Sequence, residues 1–397
     1  MPTSPRALRA LAMAVAVALC ALLAACGDDD PGAGAGATAA AEGFAAVQEG
    51  ARGQTVRWWM YGGDARVNAY VDDRVIPAAE EAGVTLERVP VADTADAVQR
   101  VAAQRRAGET SGGAVDMIWI NGENFAAGKE AGLWLQDWAG ALPSARYLDP
   151  ADPSIARDFQ VPVDGQEAPW SRAAFVFAHD SARVPEPPAD LDALLAYARA
   201  NPGRVTYPAP PDFTGSAFVR HAVAALGEDA AFDYLRELKP LAYREGEVLP
   251  KSEAELNELF ANGQVDFAMS YDVNFINSAV GKGQFPETTR PFVLAPGALA
   301  NVSFVTIPAD ASSPEGAQVV ADLLLSPALQ ARKADPAVLG NPTVLDVARL
   351  PEAQRDAFAP VRDNPYYLED LGEPVEEFAA DRVAPLEERW TREVLRG

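Results

Sequence analysis

The feature that most constrains this chain is an apolar run that stops abruptly at a polar turn. Val115 to Ile120 is almost continuously apolar, which is typical of a central strand in a parallel sheet covered on both faces. The turn Asn121-Gly-Glu-Asn124 follows, and Phe125 to Leu133 is then predicted as a helix that ends at Gly132. Open α/β sheets bind ligands where a strand, a short loop and a helix N-terminus meet, so we predict a ligand-binding loop here.

The first residues have the layout of a secretory signal. Arg6 and Arg9 precede the apolar run Ala10 to Ala25, which is too short to span a bilayer. The run ends in Leu-Ala-Ala-Cys26, which resembles a bacterial lipobox, where the Cys becomes the lipidated first residue after cleavage. The alternative is an ordinary secretory signal with a chance Cys. We predict a signal over residues 1–25 and a flexible tether over residues 26–52.

Cysteine usage and charge limit the function classes. Cys20 would leave with the signal and Cys26 would be acylated, so no disulfide is available. The formal charge of −24 becomes more negative when Arg6 and Arg9 are removed, which argues against nucleic-acid binding. The acidic surface is either simply solvated or creates a field that favours cationic ligands.

Alternating strands and helices predict an α/β first lobe on a mainly parallel sheet. Thr55 to Tyr61 and Val84 to Val89 are predicted strands, and Asp93 is a predicted N-cap of the helix that leads to the central strand. Ala173 to Ala178 then resumes as a strand that crosses into a second lobe. Further on, Arg204 to Tyr207 is predicted as a short strand and Ala217 to Leu226 as a helix.

The second lobe repeats the strand-then-polar-loop pattern of the first. Val265 to Tyr271 is a predicted strand that breaks at Asp272, and a return strand, from Phe292 to Ala295 or from Val302 to Ile307, carries the chain back. We therefore predict lobe 1 from residues 54–172 plus 298–397 and lobe 2 from residues 173–297. Two crossings between them would form a hinge that closes on a ligand in the cleft.

Several stretches together resemble the solute-binding lipoproteins of bacterial ABC importers, in their YnjB-like branch. The resemblance runs from about Gly53 to the C-terminus. It rests on Gly62-Gly-Asp64 with Asn68-Ala-Tyr70, Asp93-Thr-Ala-Asp-Ala-Val98, Ser111 to Phe125, Pro169-Trp170, Asp180 to Pro185, Phe213-Thr-Gly-Ser216 and Met269-Ser-Tyr-Asp272. It implies a type II, two-lobed periplasmic-binding-protein-like α/β fold, no catalysis and no cofactor. It also implies delivery of a small-molecule solute to permease and ATPase subunits. With the lipobox at Cys26, we expect an extracytoplasmic protein that is lipid-anchored and monomeric.

The candidate ligand residues lie at predicted strand ends and at one helix start. Aromatic residues among them could stack on a cation or a flat ring, or could belong to the core. The helix start at Thr214 suits an anionic group or ordinary capping, and Asp272 needs a cation from the ligand or from an internal Arg. We expect a small cationic or zwitterionic organic solute, thiamine-like or polyamine-like. The set is Tyr61, Gly62, Gly63, Asp64, Asn121, Glu123, Asn124, Trp170, Thr214, Gly215, Ser216, Tyr271 and Asp272.

Two other function classes stay open. A lipid-anchored extracellular hydrolase could use paired carboxylates, although the chain has no nucleophile elbow, phosphate loop or zinc-protease motif. A ligand-free scaffold or sensor lobe is the third alternative. We predict no metal site, because only two histidines are present and lie far apart in the pattern. A ferric site would need Tyr366-Tyr367, away from both loops.

Overall fold

A computed structural model describes residues 43–358, 364–368, 371–372 and 375–397. The predicted signal, most of the predicted tether and the candidate lipidation residue Cys26 lie outside these residues. No helix within the described ranges is long and apolar enough to cross a membrane. The strands are β1 Thr55–Tyr61, β2 Thr85–Val91, β3 Met117–Ile120, β4 Arg157–Asp158, β5 Val161–Pro162, β6 Glu167–Ala174, β7 Val176–Asp180, β8 Phe267–Ser270, β9 Thr289–Phe292, β10 Leu299–Thr306 and β11 Val375–Glu376.

Helices lie between most of the strands along the chain. Helices α2 and α3 are continuous through the π-helical turn Val71–Val75. In chain order the helices are α1 over residues 43–51, α2 Ala65–Tyr70, α3 Ile76–Glu81, α4 Thr94–Arg106, α5 Glu123–Glu130, α6 Pro153–Ala156, α7 Leu191–Ala200, α8 Phe213–Leu226, α9 Glu228–Leu238, α10 Glu253–Ala261, α11 Phe275–Gly281, α12 Pro314–Leu325, α13 Pro327–Ala334, α14 Glu352–Arg355 and α15 Ala380–Trp390.

The larger sheet brings the first two predicted polar turns to one edge. Its strand order is β11-β10-β3-β1-β2, with β6 also paired to β10. Strands β1, β2 and β3 are parallel, and Trp59 lies opposite Ile118, so β1 and β3 end level with each other. The turn after Tyr61 and the loop after Ile120 therefore leave the sheet side by side. The return strand β10 is antiparallel to β3 and to β6, so the sheet is parallel from β3 to β2 and mixed around β10.

The chain passes from one sheet to the other at Phe175. The predicted single strand from Ala173 to Ala178 is instead two strands, because β6 ends in the larger sheet at Ala174 and β7 begins in the smaller sheet at Val176. The smaller sheet has the order β8-β7-β9 and is antiparallel throughout. The short strand predicted from Arg204 is wrong, since only an isolated bridge from Val205 to Ala242 forms there.

Two hydrophobic cores lie on either side of this passage. The first draws on residues from Phe44 to Trp170 and from Val302 to Leu350. The second draws on residues from Ala174 to Leu299 and is completed by Leu386, Trp390 and Val394 of the C-terminal segment. The prediction that residues 298–397 belong entirely to lobe 1 is therefore wrong for helix α15. The apolar face of α15 packs against helix α8 of the second core. Periodicity alone could not assign this face to a lobe.

The C-terminal segment also touches the first lobe. Helix α15 packs against α5 as well as α8. The backbone N–H of Ala380 donates to the carbonyl of Phe159 at 3.2 Å, and the side-chain amide of Gln160 donates to the carbonyl of Glu377 at 3.0 Å. This segment is a third connection between the lobes, beyond the two crossings that the sequence predicts.

Candidate functional site

The turn that follows β1 carries the predicted aromatic and acidic residues. Asp64 caps helix α2, since its carboxylate accepts from the backbone N–H of Arg66 at 2.8 Å. The Tyr61 side chain is 45% exposed and its ring folds back over Gly63, where an added Cβ would lie 2.1 Å from the Tyr61 hydroxyl. A side chain at position 63 would displace the ring, so Gly63 allows the Tyr61 ring to lie over this turn.

The loop that follows β3 is held from beneath by a buried carboxyl group. Gly122 has φ 64° and its backbone N–H donates to Asp158 Oδ2 at 2.8 Å. Burial, together with the charges of Glu123 and Glu377, raises the pKa of Asp158 to about 8. Asn121 and Asn124 are half-buried and their side chains make no hydrogen bond to another described residue. These two amides are therefore available to a solute.

The helix start in the second lobe does not form an open anion site. Helix α8 begins at Phe213, four residues before the predicted start, and Asp212 caps it by accepting from the N–H of Gly215 at 2.9 Å. The Thr214 hydroxyl donates to Glu253 Oε2 at 2.6 Å. The Ser216 hydroxyl donates to Glu387 Oε1 at 2.5 Å. The prediction of an anion-binding role is wrong here, because carboxylates of the protein already occupy these donors.

Asp272 has an internal cationic partner from the opposite lobe. Its carboxylate forms an ion pair with Arg66 of helix α2, and both side chains are largely buried, at 20% and 16% exposed. Arg66 also donates to the carbonyl of Leu339 at 3.0 Å. Of the two partners that the sequence allowed for Asp272, a ligand or an internal Arg, the structure supplies the Arg. This pair links the Tyr61 turn to the end of β8.

Acidic side chains from both lobes act electrostatically on Tyr61. Burial and then the negative charges of Glu253, Asp64 and Asp212 raise the pKa of Tyr61. Burial and the charges of Asp212 and Asp64 raise the pKa of Glu253 to about 7, against hydrogen bonds from Thr214 and Ser270. The backbone N–H of Glu253 lies 3.4 Å from Asp212 Oδ2. These three acids form an acidic group (Asp64, Asp212 and Glu253). None of them forms a salt bridge with a described cation, although the charge of Arg66 acts on Asp64 and Glu253.

Trp170 does not line this cleft. It is 1% exposed in the first core, and its ring meets Trp58 and Trp119 edge-on at centroid distances of 5.8 and 5.1 Å. The prediction that it contacts a ligand is wrong, because aromatic packing covers its faces. Tyr271 is also buried. Its hydroxyl donates to Glu377 Oε1 at 2.6 Å, so its hydrogen bond goes to a carboxylate of the C-terminal segment.

Sequence reasoning missed five charged residues that hold the predicted site residues in place or lie beside them. A Pro-Asp pair before a helix is a usable capping signal, and it could have identified Asp212. The other residues are separated from their partners by long stretches of sequence, so no local pattern marks them. They are Arg66, Arg220, Glu253 and Glu377.

The described part of the chain shows no cluster of side chains suited to a metal ion. No group of three His, Cys, Asp or Glu side chains within it is arranged to hold a metal ion. Tyr366, considered for a ferric site, instead packs under the guanidinium of Arg290, 5.6 Å from the ring centroid.

Comparison with known proteins identifies the family. Residues 74–360 match the model of the bacterial extracellular solute-binding protein family. The chain is 39% identical over 368 residues to Protein YnjB of Escherichia coli (strain K12), covering 88% of this chain and 93% of that protein.

Solved structures agree with the two-lobed architecture. The periplasmic thiamin binding protein matches with a TM-score of 0.59 and 18% identity, over 86% of this chain and 96% of that one. AfuA from Actinobacillus pleuropneumoniae, with fructose-6-phosphate bound, matches with a TM-score of 0.59 and 15% identity, over 87% and 99%. These matches confirm the type II periplasmic-binding-protein fold. The family match favours solute binding over the hydrolase alternative, because this family consists of solute-binding transport proteins. The chain belongs to the bacterial extracellular solute-binding proteins, which capture a small molecule outside the cytoplasm for an ABC importer.

Proposed function

We propose that the solute is a small organic cation or zwitterion whose positive group lies between Tyr61 and the acidic group. The observation that supports this proposal is that the negative charges of Asp64 from one lobe and of Asp212 and Glu253 from the other all act on one exposed aromatic ring. A desolvated cation is stabilised both by carboxylates and by an aromatic face. The free amides of Asn121 and Asn124 would bind its polar end.

The remaining predicted residues take supporting roles in this proposal. Asp272 and Arg66 would hold the two lobes together around the solute, since their ion pair spans the lobes. Gly62 and Gly63 would shape the turn, and Glu123 would add negative charge to the same cleft. The lobe division, with a hinge near Phe175 and a second crossing before β10, remains part of the proposal.

The fold alone does not select this ligand class. One structural relative is named for thiamin and another holds fructose-6-phosphate, so cations and anions are both bound within the same architecture. The ligand class proposed for this chain therefore depends on its own cleft residues. A thiamine-like or a polyamine-like compound satisfies the aromatic and acidic surroundings.

Tyr61→Ala is expected to weaken binding of the cationic solute by about 0.5–2 kcal/mol, because it removes one stacking face. Tyr61→Phe is the matched control, since it keeps the ring and should bind nearly as well as the wild type. Isothermal titration calorimetry with the solute recovered from the wild-type protein measures both. Equal affinity of Tyr61→Ala and the wild type would remove Tyr61 from the site.

We also propose that the mature protein begins at Cys26 and is anchored by lipid. The proposal is supported by the basic residues, apolar run and Leu-Ala-Ala-Cys26 sequence in that order. Lipid chains on Cys26 give stable anchoring when two or more are present. Cys26→Ser should therefore move the protein from the detergent phase to the aqueous phase on Triton X-114 partitioning. Retention of the processed Cys26→Ser protein in the detergent phase would contradict the anchor.

A further inference from the structure

Arg220 of helix α8 is a buried cation whose charge must be matched. Its side chain is 2% exposed, and an unpaired guanidinium at that depth would be strongly destabilising. The guanidinium lies 5.5 Å from the ring centroid of Phe213, which is itself 46% exposed. Arg220 therefore lies one aromatic ring below the surface of the second lobe.

The charge of Arg220 also acts on the ligand loop of the first lobe. Glu123 keeps an exposed side chain, yet neighbouring atoms crowd it enough to raise its pKa, and the charge of Arg220 opposes that rise. Arg220 and Glu123 therefore interact electrostatically, although no direct ion pair joins them. Phe213 also contacts the buried ring of Tyr271 at a centroid distance of 5.0 Å.

The partner of Arg220 is a carboxylate that comes from the C-terminal segment. Arg220 Nε donates to Glu377 Oε2 at 2.9 Å and Nη2 donates to Oε1 at 3.1 Å. The Tyr271 hydroxyl donates to Oε1 at 2.6 Å, and the backbone N–H of Phe378 lies 3.3 Å from Oε2. The third guanidinium nitrogen, Nη1, donates to Ser216 Oγ at 2.6 Å and is held in place by it.

These contacts form a complete receptor for a carboxylate. A two-point contact from Arg with an added hydroxyl donor is how proteins recognise planar anions. Here the bound anion is the side chain of Glu377, which lies 157 positions from Arg220 in the sequence. The other cleft arginine, Arg66, is likewise paired with Asp272.

We propose that Glu377 is a specificity-determining residue: its carboxylate occupies an anion-binding position formed by Arg220 and Tyr271, so that a solute in the cleft meets no free cation there. This inference rests on the proposed function, because it assumes that the solute lies between the lobes. Glu377 would keep the site selective for positive groups by filling the position that an anionic solute would otherwise take.

Glu377→Ala removes one acetate unit from this position, so acetate is the probe. Sodium acetate is titrated against sodium chloride at constant ionic strength while thermal unfolding is followed by circular dichroism. Acetate should stabilise Glu377→Ala saturably and should leave the wild type unchanged. If the variant is unfolded in chloride, acetate should refold it. The double variant Arg220→Met with Glu377→Ala should not respond, because the guanidinium is gone.

A second experiment tests whether Glu377 affects solute binding and not only the stability of the fold. Glu377→Gln keeps the side-chain volume but removes the carboxylate that binds Arg220 directly, and Glu387 reaches Arg220 only through Ser216. Spermidine, the cationic probe, should therefore bind about tenfold more weakly. Glu376→Gln, at the exposed neighbouring position, should bind spermidine like the wild type. Both Gln variants are compared by calorimetry at low salt, where a change in charge has its largest effect.

Two results would overturn the inference. One is an acetate response that is absent in Glu377→Ala or equally large in the double variant. The other is unchanged spermidine affinity in Glu377→Gln when the wild type binds spermidine. The proposed function fails separately: acetate could restore Glu377→Ala while the solute carried by the wild type proves to be an anion.

Discussion

Replacing Trp390 with Ala is expected to destabilise the second lobe by about 3–5 kcal/mol, the range for deleting a large buried aromatic side chain. Trp390 is fully buried, at 0% exposed, although it lies only seven residues from the C-terminal Gly397. Its indole N–H donates to the Tyr207 hydroxyl at 3.0 Å. The substitution therefore leaves a cavity and an unpaired hydroxyl in the second core. Urea denaturation followed by circular dichroism measures the loss.

Glu388→Ala is the matched control for Trp390→Ala. Glu388 lies on the same helix with an exposed side chain, so its removal should change stability by no more than about 0.5 kcal/mol. If Trp390→Ala and Glu388→Ala were equally stable, helix α15 would not be part of the second core in solution.

Glu253→Gln is expected to weaken binding of the cationic solute by about 1.5–3 kcal/mol, or roughly 10- to 150-fold, because it replaces a charge-assisted contact with a neutral one. The carboxamide oxygen can still accept from the Thr214 hydroxyl, so the fold should be retained. Glu255→Gln, an exposed position on the same helix, should bind like the wild type. Calorimetry on the three proteins measures the difference.

The same carboxyl group predicts a pH dependence. The pKa of Glu253 is raised to about 7, so below pH 7 the free protein holds it protonated and a cation must displace that proton to bind. Affinity should therefore rise as pH increases from 5.5 to about 7 and level off above that. Glu253→Gln should remove this rise. A wild-type affinity independent of pH over this range would show that the cation does not contact Glu253.

Local signals in the sequence predict the strand ends that build the cleft. The apolar runs ending at Tyr61 and Ile120 predict strands of one parallel sheet, and parallel neighbours must release their C-terminal loops at the same edge. Asp93 as N-cap of helix α4 is confirmed, since it accepts from the N–H of Ala95 at 2.9 Å. These features depend on neighbours within a few residues and so can be inferred from one sequence.

Long-range contacts could not be inferred in the same way. Trp170 could have been either a ligand contact or a core residue from its local sequence, and its position is decided by contacts with Trp58 and Trp119 from other strands. The partner of Asp272 was an open question because Arg66 lies on a different lobe. Glu377 follows no recognisable periodic pattern, and only the packing of the C-terminal helix brings it to Arg220.

The most direct test of the central claim is mass spectrometry of the solute that the wild-type protein carries. The protein is purified gently without added ligand, and the solute is released by mild denaturation and quantified against the protein. We predict one small organic compound in stoichiometric amount that carries a positive group, alone or as a zwitterion. A sugar phosphate, a dicarboxylate or another purely anionic compound in that amount would contradict the role assigned to Tyr61, Asp64, Asp212 and Glu253.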